Sequence, residues 1–238
     1  MTDLEQRLTR RRALQWAGGL GLAAFVSACA DDGGDSAAPA TSTGGTTTDA
    51  PATATPDCVL LPELTEGPYY LDLDLVRSDI AEERPGLLLD LRVTVVDADA
   101  CESIEGAAVD VWHCDAEGAY SGVQGAEGET FCRGVQMTDA AGVAEFRTVF
   151  PGWYTGRAVH IHVKVQVDGD QTHTGQLFFD PSVTSAVYAL EPYAERGEQD
   201  VPNSSDGIYA QSGGVTVVAV EVGEDSSSGS VTLGVQRA

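Results

Sequence analysis

Alternation of apolar and polar residues is the dominant pattern of the chain from about residue 58 onward. In residues 89–95 the odd positions are apolar and most even positions are polar, which is the period of a half-buried β-strand. Other segments show the same alternation, or β-branched runs bounded by Gly, Asp and Pro. The pattern predicts strands at residues 89–95, 107–114, 134–138, 143–149, 159–167, 175–179, 215–222 and 230–235.

Helical periodicity is weak throughout the same region. No amphipathic pattern with helical spacing continues for about a dozen residues. The segment 183–209 is rich in Pro, Glu, Ser and Asp, and it predicts a long loop with room for a helical turn. Many short strands separated by turn residues are typical of an antiparallel β-sandwich. We therefore predict an all-β fold, an antiparallel β-sandwich with long connecting loops.

The first 29 residues have the features of an export signal. Consecutive arginines at 10–12 precede an uncharged apolar run at 13–28, which is shorter than the about 20 residues that a transmembrane helix needs. The run ends in Val-Ser-Ala-Cys, which resembles a lipobox with Cys29 as the acylated residue. The pattern predicts a twin-arginine lipoprotein signal and an exported protein, lipid-anchored at the periplasmic or extracellular face of the envelope. A buried helix with a chance cysteine is the alternative.

Residues 30–57 contain no aromatic and no large aliphatic side chain. Such a stretch cannot bury enough apolar surface to offset the entropy of ordering it, so it predicts a disordered tether. Residues 58–238 remain as one β-sandwich domain of ordinary size.

The balance of charge is strongly acidic. The chain has 37 Asp plus Glu against 13 Lys plus Arg, a formal net charge of −24. Such a surface repels the phosphates of nucleic acid, so we predict no nucleic-acid partner. The acidity itself is explained by a solvated surface and indicates nothing about catalysis.

Four cysteines lie beyond the predicted signal: Cys58, Cys101, Cys114 and Cys132. An even number in an exported protein favours disulfides, and three connectivities are open. A metal cluster is the alternative, but the region has no CxxC pair and the spacings match no common zinc pattern. We predict a bond between Cys114 and Cys132, because they flank one excursion between predicted strands.

The predicted strand at 159–167 carries two of the four histidines of the chain. Its apolar residues share one face, so His160 and His162 project together from the other face, about 6.5–7 Å apart along the strand. Two imidazoles with this spacing can converge on one metal ion. Two surface or hydrogen-bonded histidines are the alternative interpretation.

Two tyrosines and an arginine lie close to the histidine pair in sequence. Tyr120 follows a predicted strand and turn, while Tyr154 and Arg157 lie in a Gly-punctuated turn just before the histidines. An anionic phenolate is a hard oxygen donor that favours Fe(III), whereas zinc sites are usually built from Cys, His and carboxylate.

These segments, taken in order, resemble the intradiol ring-cleavage dioxygenase family. The resemblance lies in Trp-His at 112–113, Gly-Ala-Tyr-Ser at 118–121, Pro-Gly-Trp-Tyr at 151–154 and Arg-Ala-Val-His-Ile-His at 157–162. Thr-Glu-Gly-Pro-Tyr-Tyr at 65–70 and Gly-Gln-Leu-Phe-Phe at 175–179 also fit. The match runs from about residue 58 to 182, and its Tyr, Tyr, His-x-His set is specific.

The resemblance implies an Fe(III) centre with two phenolate and two imidazole ligands. These ligands are Tyr120, Tyr154, His160 and His162. Tyr154 corresponds to the axial tyrosine that leaves the iron when substrate binds, and Arg157 to an arginine that holds the aromatic. Gln176 matches a pocket glutamine near the oxygen site, and Tyr69 or Tyr70 lines the pocket or belongs to the core.

The implied activity is insertion of both atoms of O2 into a catechol-type aromatic, with intradiol cleavage to a muconate-type diacid. The partners would be a small aromatic diol and O2, with membrane contact only through the lipid on Cys29. The N-terminal helical dimerisation region of many family members is replaced by signal and tether, so a homo-oligomer stays open. Only five residues separate Tyr154 from His160, which implies a trimmed loop at the pocket mouth.

Two alternatives belong to other classes. One is a lipid-anchored envelope β-sandwich that binds a ligand and has lost its chemistry, although such a module need not retain Tyr120, Tyr154, His160, His162 and Arg157. The other is a hydrolase that uses His and Asp, but no Gly-x-Ser-x-Gly elbow is present. Metal content and oxygen uptake with catechols separate the three hypotheses.

Overall fold

The computed structural model describes residues 58–237 except 124 and 170. The predicted signal, the predicted lipid site at Cys29 and the predicted tether lie outside the described residues. No helix in the described part of the chain is long and apolar enough to cross a membrane.

Eight strands form a single sheet, and the predicted all-β fold is confirmed. Their bounds are β1 (Leu88–Asp97), β2 (Ala108–Trp112), β3 (Arg133–Met137), β4 (Val143–Val149), β5 (His160–Val167), β6 (Gln171–Phe179), β7 (Val217–Val222) and β8 (Ser226–Val235). The strand order is β3-β2-β5-β6-β7-β8-β1-β4. The β1–β8 and β6–β7 pairs are parallel, and the other pairs in this order are antiparallel.

The sheet folds over one apolar core. Inward-facing residues of β1, β4 and β8 pack in the same cluster as inward-facing residues of β2, β5 and β6. The valines and isoleucine of β5 at 161, 163, 165 and 167 are all buried in it. The fold is therefore sandwich-like, with the two halves of the sheet covering each other.

The segment 77–80 forms backbone hydrogen bonds with both outer strands of the sheet, β3 and β4. The backbone N–H of Arg77 donates to Val135 of β3 at 3.1 Å, and the N–H of Ile80 donates to Arg147 of β4 at 2.8 Å. Unpaired strand edges are templates for association with other chains. The segment satisfies part of both edges and brings the sheet close to a closed barrel.

Short helices occupy much of the region predicted as a loop. They are α1 (Pro181–Tyr188), α2 (Tyr193–Arg196), a 3-10 turn (Asn203–Ser205) and α3 (Gly207–Ser212). The prediction understated this helix content because an element of eight residues or fewer is too short to display a helical period. Local capping marks them instead, since Asp180 accepts from the N–H of Ser182, and Asp206 from that of Ile208.

The disulfide joins Cys58 to Cys101, with Cα atoms 5.4 Å apart. Cys114 and Cys132 are both free and buried, so the predicted bond between them is wrong. The reason is register: the N–H of His113, not Cys114, donates to the carbonyl of Cys132, at 3.1 Å. Successive side chains point to opposite faces of a strand, so this offset by one residue separates the two thiols.

Candidate active site

The histidines of β5 meet beneath the surface of the molecule. His160 and His162 are 2% and 1% exposed, and their Nε2 atoms lie 3.1 Å apart. Burial lowers the pKa of His160 to about 3 and that of His162 well below its usual value. Both rings are therefore neutral at physiological pH, which is the form that binds a metal ion.

Hydrogen bonding directs the imidazole nitrogen of His160 into the site. Its Nδ1 lies 2.6 Å from the carbonyl oxygen of Ala158, which can only accept. Nδ1 therefore carries the proton, and Nε2 presents its lone pair toward His162.

The ring of His162 is held by its neighbours on the adjoining strands. Register places Trp112 of β2 on one side of His162 and Gln176 of β6 on the other. The Trp112 ring stacks on His162 with centroids 4.9 Å apart and planes 8° apart. Gly67 lies against the same imidazole, and a Cβ atom at this position would come within 3.2 Å of the His162 ring. Bulk at position 67 would therefore crowd the imidazole.

The two predicted tyrosine ligands lie beside the histidines. The hydroxyl of Tyr154 is 3.3 Å from Nε2 of His160, and the rings of Tyr120 and Tyr154 have centroids 5.6 Å apart. The Tyr120 hydroxyl is buried and makes no well-formed hydrogen bond within the described residues. Burial raises the pKa of both phenols. A cation would be needed to stabilise either as a phenolate.

Asp115 joins the two turns that carry these tyrosines. Its carbonyl accepts from the N–H of Gly152 at 2.9 Å, and its carboxylate accepts from the N–H of Ala119 at 2.9 Å. Arg84 forms an ion pair with the same buried carboxylate. A side chain at Gly152 would lie 2.2 Å from the carbonyl oxygen of Ala116, so only glycine permits this approach of the two backbones.

Arg157 reaches the site within a network of hydrogen bonds. Its Nε donates to Asp206 at 2.8 Å and its Nη2 to Gln176 at 2.6 Å. Its Nη1 lies 3.4 Å from Nε2 of His160. Gln176 donates in turn to the carbonyl of Thr65 at 2.9 Å. Six residues named from sequence alone therefore meet here: Tyr120, Tyr154, Arg157, His160, His162 and Gln176.

The structure also distinguishes Tyr69 from Tyr70. The ring of Tyr69 lies 4.5 Å from that of Tyr120, centroid to centroid, so Tyr69 lines the site. Tyr70 packs on Trp112 at 4.8 Å and lies under the ammonium group of Lys164, 3.5 Å from the ring centroid. Tyr70 therefore packs against Trp112, which in turn stacks on His162.

The other two histidines do not join the site. His113 is buried between the carbonyl of Cys114 at 2.7 Å and the hydroxyl of Thr148 at 2.9 Å. His173 binds the carbonyl of Gln236 at 3.1 Å on the far part of β6. Both imidazoles are therefore engaged by hydrogen bonds outside the site.

The donor set fits a hard, oxidised metal ion. No group of three or more His, Cys, Asp or Glu side chains in residues 58–123, 125–169 and 171–237 could hold one. Two neutral imidazole nitrogens and two phenol oxygens converge instead, and the Tyr120 oxygen makes no well-formed hydrogen bond within the described residues, so it is open to contact with a cation. Tyrosinate with imidazole is a combination suited to Fe(III).

Comparison with known proteins points the same way. A family model described as "Dioxygenase" matches residues 62–187. A curated chlorocatechol 1,2-dioxygenase of Pseudomonas putida is 31% identical over 139 residues, which cover 48% of this chain and 52% of that protein. The chain thus spans about half the length of this relative.

Two solved structures extend the likeness over more of the chain. An intradiol ring-cleavage dioxygenase from Tetranychus urticae is 34% identical with a TM-score of 0.71, covering 75% of this chain and 95% of its own. The dioxygenase domain of a dioxygenase carbohydrate-binding protein fusion from Streptomyces sp. SirexAA-E is 28% identical with a TM-score of 0.60. That match covers 76% of this chain and 100% of the domain.

Proposed function

The chain belongs to the intradiol ring-cleavage dioxygenase family, and on this premise we propose that it is a non-haem Fe(III) enzyme. It would insert both atoms of O2 into a catechol-type aromatic and yield a muconate-type diacid. The observation that carries the proposal is the convergence of Tyr120, Tyr154, His160 and His162 in one buried site. The relatives are dioxygenases by name, which does not favour the alternative of a binding module without catalysis.

The four converging side chains would hold Fe(III), with their two neutral imidazoles and two phenolates. Bound there, the ion would supply the Lewis acidity that activates a catechol toward O2. The two phenolates would offset two of its three positive charges. His160, His162 and Tyr120 are buried, and low exposure to water strengthens these interactions.

Tyr154 is the residue suited to take a proton from the incoming diol. Its side chain is half-buried, whereas Tyr120 is 5% exposed, so Tyr154 has more room to move. Burial raises its pKa, and a phenolate oxygen of raised pKa accepts a proton readily.

Arg157 is suited to bind the deprotonated diol. Two of its three nitrogens are engaged by Asp206 and Gln176, which fixes the plane of the guanidinium group. Nη1 remains directed toward the site beside His160. A fixed cation there stabilises negative charge on a substrate oxygen without reorganisation.

The experiment that tests the activity is turnover of catechol under ¹⁸O2 by the iron-loaded protein. We expect one O2 consumed per catechol and a ring-opened diacid that carries label from both oxygen atoms. A product that also bears an aldehyde would indicate cleavage outside the diol, and the absence of turnover would refute the proposal.

We also propose that the protein is exported and held at the envelope by a lipid on Cys29. The Cys58–Cys101 disulfide supports this, because such bonds persist in oxidising compartments. Replacement of Cys29 by Ser should move the protein from the membrane fraction to the soluble fraction. Equal fractionation of both forms would contradict the anchor.

A further inference from the structure

Asp206 is a buried carboxylate that lies 49 residues from Arg157 in sequence. Its Oδ1 accepts from the backbone N–H groups of Ile208 at 2.7 Å and Tyr209 at 2.9 Å, at the beginning of α3. Its Oδ2 accepts from Nε of Arg157 at 2.8 Å and from the N–H of Ala158 at 2.8 Å. Each oxygen therefore receives two donors from a different segment of the chain.

A helix cap alone does not require this arrangement. One side-chain oxygen is enough to satisfy the first amides of a helix, and Ser serves as well as Asp. Asp180 provides the comparison, since it caps α1 by accepting from Ser182 and forms no ion pair within the described residues. The second oxygen of Asp206 is thus committed to the arginine and to the chain leading into β5.

The geometry of a guanidinium group makes this contact decisive for the site. Its donors lie in a rigid planar fork, so fixing Nε and one terminal nitrogen also fixes the other. Asp206 holds Nε and Gln176 holds Nη2, which leaves Nη1 3.4 Å from Nε2 of His160. Without Asp206, the Arg157 side chain could turn about its flexible stem.

We propose that Asp206 is the positioning residue for Arg157, aligning its guanidinium group with the substrate-binding side of the site. This inference rests on the proposed function, because it assigns to Asp206 the alignment of a group that binds the diol. Sequence reasoning missed Asp206, since it lies in a segment predicted as a loop.

The test separates the cap from the alignment by using Asp206→Ser. Serine retains an oxygen for the N–H groups of α3 but is too short to reach Nε of Arg157. Asp180→Ser is the matched control, because it makes the same change at a cap that holds no arginine. The readouts are the dissociation constant of catechol without O2, followed by the absorption spectrum, and kcat and KM per bound iron.

We expect Asp206→Ser to weaken catechol binding and lower kcat/KM by about 10- to 100-fold, the usual cost of losing a group that orients a site residue. Iron content should stay at the wild-type level. Asp180→Ser should match the wild type in every readout. In an Arg157→Gln background, Asp206→Ser should add less than about twofold, because residues acting through one another are not additive.

Asp206→Ser that binds and turns over catechol as the wild type does would overturn the inference. The same loss in the presence and absence of Arg157 would also overturn it, because Asp206 would then act only on the fold. If Asp206→Ser does not fold, Asp206→Asn, which keeps the shape of the side chain, is subject to the same predictions. A wild-type protein that neither binds nor cleaves catechol would overturn the proposed function and this inference together.

Discussion

Polar side chains differ in exposure between the two halves of the sheet, one containing β1, β4 and β8 and the other β2, β5 and β6. On β1 and β4, polar side chains alternate with the core and face solvent, as in the pair Arg92–Glu145, whose side chains are 51% and 69% exposed. On β5, the polar side chains of His160 and His162 alternate with the core in the same way but are almost fully buried. The same period of two therefore produces a solvated surface in one half and a covered site in the other.

Burial of the polar groups around β5 has an energetic cost. Nε1 of Trp112, the hydroxyl of Tyr120 and Nδ1 of His162 are buried and make no well-formed hydrogen bond in the described part of the chain. Burying a polar group without a partner is unfavourable, and folds retain such groups mainly where function requires them. The comparison indicates that the β5 half is built for a ligand, whereas the β1–β4 half is built for stability and solubility.

The largest effect should follow from removing a proposed iron ligand. His162→Gln keeps the size of the side chain but removes one imidazole nitrogen, and we expect activity to fall by more than about 100-fold, beyond the usual cost of losing an outer-shell group. Iron analysis and turnover with catechol measure it. His173→Gln, on the outer part of β6, is the control and should keep its iron. An active His162→Gln enzyme would contradict the ligand assignment.

A large effect on stability alone is expected in the other half. The Cys58–Cys101 bond closes a loop of 43 residues, and its removal by serine replacement should lower the free energy of unfolding by about 4 kcal/mol. Urea unfolding measures the change. Iron content per folded molecule should not alter, since the bond lies in the N-terminal segment and the turn after β1. Loss of iron without loss of stability would contradict the prediction that this bond contributes to stability and not to iron binding.

The effect of Tyr120→Phe on the free energy of unfolding should depend on whether iron is bound. The variant removes a buried hydroxyl that makes no well-formed hydrogen bond within the described residues, so the iron-free protein should be unchanged or more stable by about 1–3 kcal/mol. Iron should stabilise the wild type more than the variant. Tyr193→Phe is the matched control, because the Tyr193 hydroxyl donates to the carbonyl of Phe150 at 2.7 Å. In the iron-free proteins, thermal unfolding should show that Tyr193→Phe lowers the stability and that Tyr120→Phe does not. A loss of stability in both variants would contradict the interpretation.

The smallest effect is expected at the exposed ion pair. A double-mutant cycle on Arg92→Ala and Glu145→Ala should give a coupling of about 0.2–1 kcal/mol, because both side chains are solvated. Activity should not change. A coupling of several kcal/mol would mean that the solvent-facing half contributes more electrostatic stability than its exposure indicates.

Alternation along single strands was sufficient to predict the eight strands and the shared face of His160 and His162. The motifs supplied the two tyrosines, Arg157 and Gln176, which the structure brings to that face. All of this depends on local order in the chain.

Contacts between distant segments were not predictable in the same way. Gln176 lies beside His162 because of the β5–β6 register, and Asp206 meets Arg157 only once α3 is in place. The wrong disulfide has the same origin, since a one-residue offset between neighbouring strands decides which thiols can meet. Register and loop path are set by the packing of the whole domain.

The most direct test of the central claim is the visible absorption spectrum of the purified domain from residue 30 onward, with iron analysis and a catechol titration. We predict bound iron and a broad tyrosinate-to-Fe(III) charge-transfer band that shifts when catechol is added. A protein that stays colourless after iron loading and does not respond to catechol would contradict it.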